Sequence, residues 1–102
     1  LNVSGNILAS GNITAYSDIK LKTDISTIDN ALDKVSKMRG VMYTRKDNNE
    51  KNTGVIAQEI KEVLPEVVHG DETLSVAYGN IVGVLIEAIK ELKAEIEQLK
   101  GK

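Results

Sequence analysis

The sequence predicts an α+β fold: a short repetitive β-stalk, a small helix-and-strand domain and a C-terminal coiled-coil helix. Three observations predict it. A four-residue repeat opens the chain, helical and strand-like apolar spacings alternate through its middle, and a heptad closes it. The zones are residues 1–16, 17–78 and 79–102, and a chain of 102 residues holds one domain at most.

In the first zone Ser4-Gly5-Asn6-Ile7 recurs as Ser10-Gly11-Asn12-Ile13. Gly-Asn pairs supply turns because both residues tolerate positive φ. Short strands are expected between them, over Ile7–Ala9 and Ile13–Ala15. Two copies do not make a solenoid, so they read as the end of a longer β-stalk upstream. A first residue of Leu1 rather than Met fits a piece of a longer chain. The plainer alternative is a flexible Ser/Gly/Asn leader.

In the middle zone Asp24-Ile25-Ser26-Thr27 offers helix N-caps and Gly40 a stop. Between them Ile28, Leu32 and Val35 recur at helical spacing, with Ile25 and Met38 at the edges. Val41–Thr44 reads as a strand and Asp47–Asn52 as a hairpin loop ending in Thr53-Gly54. A second helix is expected over Ile56–Val63, closed by Pro65, because the residue before proline disfavours the helical region. Val67-Val68 and Leu74–Tyr78 read as strands around a turn at His69-Gly70-Asp71-Glu72.

In the third zone Val82, Leu85, Ile89, Leu92, Ile96 and Leu99 are spaced 3, 4, 3, 4, 3. This is a heptad seam, β-branched at a and Leu at d. Glu95 at g and the following Lys100 at e allow an interchain ion pair. Ile86 and Ala88 widen the apolar face upstream. Packing of the helix on its own domain explains the first turns but leaves Leu92–Leu99 bare, which favours association between chains. The a and d residues lean toward a dimer and the widened face toward a higher state, so the seam leaves the number open. The globular part has only about sixty residues, a size often stabilised by oligomerisation.

Composition narrows the chemistry. Net charge is −2, which gives no electrostatic reason to bind nucleic acid or an anionic membrane. No apolar run approaches the ~20 residues of a membrane span, and no signal peptide is visible. With no cysteine there are no disulfides, thiolate metal sites or Cys nucleophile. Three Tyr with no Phe or Trp leave a core of Ile, Val, Leu and Ala, which suits coiled coils and repetitive β-structure better than a deep pocket. His69, Asp71 and Glu72 match no metal-ligand spacing and read as a polar turn, so no metal site is expected. Gly79 and Gly83 are isolated and form no phosphate loop, so no cofactor is expected either.

What remains is Ser17-Asp18-Ile19-Lys20-Leu21-Lys22. A serine hydroxyl needs a base to take its proton. A lysine serves when apolar surroundings favour its neutral amine, and Ser–Lys pairs are an established variant of the serine mechanism. Ile19 and Leu21 could supply those surroundings. On composition alone a solvated linker explains the segment as well. No regular element brings residues five apart together: a strand puts them on opposite faces and a helix separates them by about 140°. A bend, or contact between chains, is required.

The run Ser17-Asp18-Ile19-Lys20-Leu21-Lys22-Thr23-Asp24-Ile25 resembles the opening motif of the intramolecular chaperone family, peptidase family S74. Gly54-Val55-Ile56-Ala57-Gln58-Glu59-Ile60 and Leu64-Pro65-Glu66-Val67-Val68 resemble its central block. Leu74-Ser75-Val76-Ala77-Tyr78 and Leu85-Ile86-Glu87-Ala88-Ile89-Lys90-Glu91-Leu92 resemble its end. The blocks run in order from Ser17 to the C-terminal helix. The family ends phage tail fibres and endosialidase tailspikes, with related segments in myelin regulatory factor.

The resemblance implies a homotrimer, overriding the dimer leaning of the seam, that folds the β-stalk upstream in the same chain and then cuts itself off. It implies Ser17 as nucleophile and Lys22 as base. Lys20 stands where the family more usually has Arg, a supporting position, and Asp18 matches the motif without an assigned role. The expected cut is at Tyr16–Ser17, the bond after Ser17 being less directly reached. Assembly in the host cytoplasm is implied, with the fibre in the virion tail and the chaperone released. The competing expectations are a trimerising fibre tip without catalysis and a self-cleaving segment of a membrane-tethered transcription factor.

Overall fold

A computed structural model describes residues 2–101; Leu1 and Lys102, at the far ends of the two outer zones, lie outside the described residues. The elements are α1 (Ala31–Ser36), β1 (Val41–Thr44), β2 (Lys51–Gly54), α2 (Ala57–Val63), β3 (Val68–His69), β4 (Ser75–Val76) and α3 (Val82–Lys100), with 3₁₀ turns at Ile19–Leu21, Pro65–Val67 and Tyr78–Ile81.

No strand forms over Ile7–Ala9 or Ile13–Ala15, contrary to the expected stalk strands. Ile7, Leu8 and Ile13 are exposed. A strand exists by pairing its main-chain groups, and a segment this short offers itself no partner. The hairpin loop comes alongside it: Val3–Asn6 share a surface cleft with Arg45, Asp47, Asn48 and Glu50.

The first helix starts later than its apparent caps suggest. Residues 22–30 form no regular element. Asp24 and Asn30 take left-handed φ of 53° and 51°, which Asp and Asn tolerate better than most residues. They break what would have been a continuous helix. Asn30 occupies the cap position without a side-chain cap bond. The capping acceptor comes from α3 instead: Glu91 Oε2 and Oε1 accept from the Ala31 and Leu32 N–H groups, both at 2.9 Å. These bonds hold the Glu91 carboxyl below the usual range. Ile28, Leu32, Val35 and Met38 pack on the core as their spacing indicated, whereas Ile25 stays exposed.

β1 and β2 pair antiparallel with Val41 opposite Gly54 and Thr44 opposite Lys51. The expected hairpin forms, but its second strand begins at Lys51, inside the run read as loop. Gly54 leaves room for a close approach. A Cβ there would lie 2.7 Å from the Tyr78 hydroxyl oxygen, to which the Val55 N–H donates at 3.3 Å. α2 follows, one residue shorter than expected, and yields at Leu64 to the turn that Pro65 opens. Arg39 grips α2 through a two-pronged ion pair, Nε to Glu59 Oε1 and Nη2 to Glu59 Oε2, each 2.9 Å. β3 and β4 pair antiparallel with Val68 opposite Val76 and His69 opposite Ser75. The turn runs through Gly70 at φ 103°. Tyr78, expected to end a strand, starts a 3₁₀ turn instead.

The core lies where α1, α2 and the start of α3 meet. Ala31, Ile60, Leu64, Val67, Ile81, Val84 and Ala88 are buried. α3 contributes Val84 and Ala88, not the heptad seam, and Ala88 therefore does not widen the seam. Seam residues Val82, Leu85, Ile89, Leu92, Ile96 and Leu99 remain 42–69% exposed. α3 thus has two apolar faces, one committed to its own domain and one bare. Among the described residues no helix is long and apolar enough to cross a membrane.

Candidate functional site: a serine and a lysine joined by a short turn

Ser17 and Lys22 meet. The Lys22 Nζ donates to Ser17 Oγ at 2.6 Å. The bend that makes this possible is the 3₁₀ turn Ile19–Leu21. Its two main-chain bonds run from the Leu21 N–H to the Asp18 carbonyl at 3.0 Å and from the Lys22 N–H to the Ile19 carbonyl at 3.1 Å. Such a turn advances three residues per revolution, so it returns the chain sooner than an α-helix does. Asp18, extended at φ −65° and ψ 140°, caps it, its Oδ1 accepting from the Lys20 N–H at 3.0 Å. Lys20 contributes this main-chain donor while its residue as a whole is exposed.

The surroundings are open. Ser17 and Lys22 are exposed, as are Ile19 and Leu21. Tyr16, the residue before the serine, is 95% exposed, and Thr14, Ala15, Tyr16, Ser17 and Asp18 line an open groove. Chemically, a hydroxyl and an amine in contact are the two groups that a serine nucleophile and its base require.

The other singled-out residues lie apart from this pair. His69 ends β3, exposed, its carbonyl accepting from the Ser75 hydroxyl at 3.4 Å. Asp71 and Glu72 lie in the β3–β4 turn. Among the described residues no group of three or more His, Asp or Glu side chains gathers as a metal cluster.

Comparison with known proteins adds the family. The family model "chaperone of endosialidase", a peptidase family, matches residues 17–69. The chain belongs to the chaperone of endosialidase family. The match takes in the first two of the three sequence blocks, and the resemblance to the family is thereby confirmed. Among relatives, the long tail fiber protein Gp37 of Enterobacteria phage K3 is 36% identical over 102 residues, covering 89% of this chain and 8% of the relative. Gp37 of Escherichia phage AR1 is 39% identical over 87 residues, covering 74% of this chain and 8% of that protein. Myelin regulatory factor homolog 1 of Caenorhabditis elegans is 31% identical over 105 residues, 90% of this chain and 11% of that protein. The chain therefore spans about a tenth of these relatives or less.

Glu91 escaped the sequence reading. It sits at heptad position c, ordinarily a solvent position. One signal was present: Val84, Ala88 and Glu91 are themselves spaced 4 and 3, a second stripe beside the seam that ends in a carboxylate.

Proposed function

We propose that this domain is the C-terminal intramolecular chaperone of a phage tail fibre, that three copies associate through the α3 seam, and that each chain then cuts itself between Tyr16 and Ser17. The observation that carries the reading is the 2.6 Å contact between Lys22 Nζ and Ser17 Oγ in a member of this family. A neutral Lys22 amine accepts the hydroxyl proton as Ser17 Oγ attacks the Tyr16 carbonyl carbon. The protonated lysine returns that proton to the Ser17 nitrogen as the C–N bond breaks. Tyr16 is then held as an ester on Ser17 Oγ, and the Ser17 amine is free. Water adds to the ester carbonyl, leaving a Tyr16 carboxylate and the restored Ser17 hydroxyl. One turnover per chain needs no substrate pocket. Holding both partners on adjacent residues supplies the orientation.

A neutral amine is favoured by apolar surroundings. Ile19 and Leu21 are exposed in the single chain, and the proposal requires that association of copies cover them and dry the pair. This links cutting to assembly. Intertwined stalks carry large loop-closure and registration costs before their contacts form. A clamp at one end fixes register and raises effective concentration. Once it leaves, the stalk persists because unfolding is slow. The fibre portion then belongs to the virion tail and the chaperone is left in the host cytoplasm. The exposure of Ser17 and Lys22 favours one competing reading, a fibre tip that associates without cutting.

Intact mass with N-terminal sequencing separates the two. The expected product begins at Ser17, and Ser17→Ala or Lys22→Ala leaves a trimer of unshortened chains. Normal fragments from either variant on a denaturing gel refute the pair as nucleophile and base.

A further inference from the structure

We infer that Asp18 is a positioning residue: its carboxylate holds the 3₁₀ turn that carries Lys22 Nζ onto Ser17 Oγ. The inference rests on the reading of Ser17 and Lys22 as nucleophile and base, and it gives Asp18 a task that neither residue performs. Among the described residues the Asp18 carboxylate makes one hydrogen bond, to the Lys20 N–H at 3.0 Å. It has no contact with Ser17 Oγ or Lys22 Nζ within hydrogen-bonding distance, so it acts through the main chain.

The turn needs that help. It has three residues and two main-chain bonds, and none of its residues is buried. Closing a single turn fixes several dihedral angles for few hydrogen bonds and is unfavourable alone. Water competes for every donor in it. A side-chain acceptor on the Lys20 N–H, the second residue of the turn, removes one orphan donor and selects the extended cap conformation that Asp18 shows. Without the turn, residues five apart in an extended chain point to opposite sides, and Lys22 leaves the serine.

This role depends on an acceptor oxygen at the right distance, not on negative charge. Cap strength runs Asn and Ser alongside Asp, with Ala far behind. In the full chain, Asp18→Ala is expected to slow self-cleavage about tenfold, while Asp18→Asn and Asp18→Ser restore it to within about threefold, with the same pH dependence as the parent. In the Ser17→Ala background, which is not cut, NMR should show the Lys22 ε-methylene close to the side chain at position 17, a contact retained with Asp18→Asn and lost with Asp18→Ala. Cleavage of Asp18→Ala at the parent rate overturns the inference. So does an Asp18→Asn chain as slow as Asp18→Ala, which would give the role to charge. A parent chain that never cuts refutes the nucleophile–base reading instead, and the NMR contact then still decides whether Asp18 sets the turn.

Discussion

Replacing Ile89 by Asp is the sharpest test of the bare face of α3. Ile89 is 68% exposed in the single chain, so the domain itself asks little of it. Full burial of an Ile side chain is worth about 1.5–3 kcal/mol. With two-thirds of it in water beforehand, association gains about 1–2 kcal/mol per chain, or about 3–6 kcal/mol per trimer. Ile89→Asp forfeits that gain and places three like charges at one level of the seam, a further cost. At about 1.4 kcal/mol per tenfold, the trimer association constant falls by at least about a hundredfold to ten-thousandfold. Sedimentation across a concentration series should find monomer where the parent chain is trimeric. Circular dichroism should find the helix retained, because Val84, Ala88 and Glu91 anchor α3 on the other face. Lys90→Asp, one residue along and outside the seam, leaves the trimer intact. A trimeric Ile89→Asp chain at the parent's concentrations, or an equal effect of Lys90→Asp, refutes the assignment of this face to association.

Two further expectations concern what holds the domain together. Glu91 has its carboxyl lowered by the Leu32 and Ala31 N–H groups, and Glu59 by Arg39. A carboxyl that is lower in the folded than the unfolded chain gives stability that is complete above the ordinary glutamate value of 4.5 and is lost as pH falls through the folded value. Urea midpoints should therefore be flat near neutrality and fall below about pH 4.5, with a shallower fall in Glu91→Gln; an acid slope unchanged by that substitution removes Glu91 from the explanation. Gly54→Ala should displace the half-exposed Tyr78 side chain and destabilise by about 1 kcal/mol or less, since its Cβ would sit 2.7 Å from the Tyr78 hydroxyl oxygen. The loss should shrink in a Tyr78→Phe background by thermal denaturation, and an equal loss in both backgrounds refutes the clash.

Much of the fold was legible because its signals are local. Val41–Thr44, most of the helix expected over Ile56–Val63 and the helix Val82–Lys100 needed only residues within one element of each other. Errors fell where the deciding partner, or its absence, lay outside the element itself. Ser26 and Thr27 looked like caps, yet α1 is capped by Glu91, about sixty residues on. Lys51 and Asn52 are polar, yet pairing with Thr44 and Tyr43 makes them strand. Ile7 and Ile13 looked like strand residues, yet nothing in this segment pairs with them. The site shows the same division. The types and spacing of Ser17 and Lys22 were readable, and so was the need for a bend. That Asp18 and a 3₁₀ turn make the bend was not, because a single turn of this length leaves no periodicity to read.

The two faces of α3 fit the proposal that so small a domain serves both folding and release. Its inner stripe, Val84 and Ala88, closes the core of each chain. The carboxylate that continues that stripe, Glu91, grips the start of α1, which is reached directly by the segment descending from Ser17 and Lys22. The outer stripe is left free for other copies. Association along the seam therefore need not rebuild the domain. In the proposed trimer it has only to bring three finished domains together, with the pair on each chain already in contact at 2.6 Å. On the proposed reading, assembly changes the solvent around that pair, and desolvation is one of the effects that favour a neutral amine. Under that proposal cutting follows assembly without a separate signal, the event that registers the stalk being the one that dries the amine.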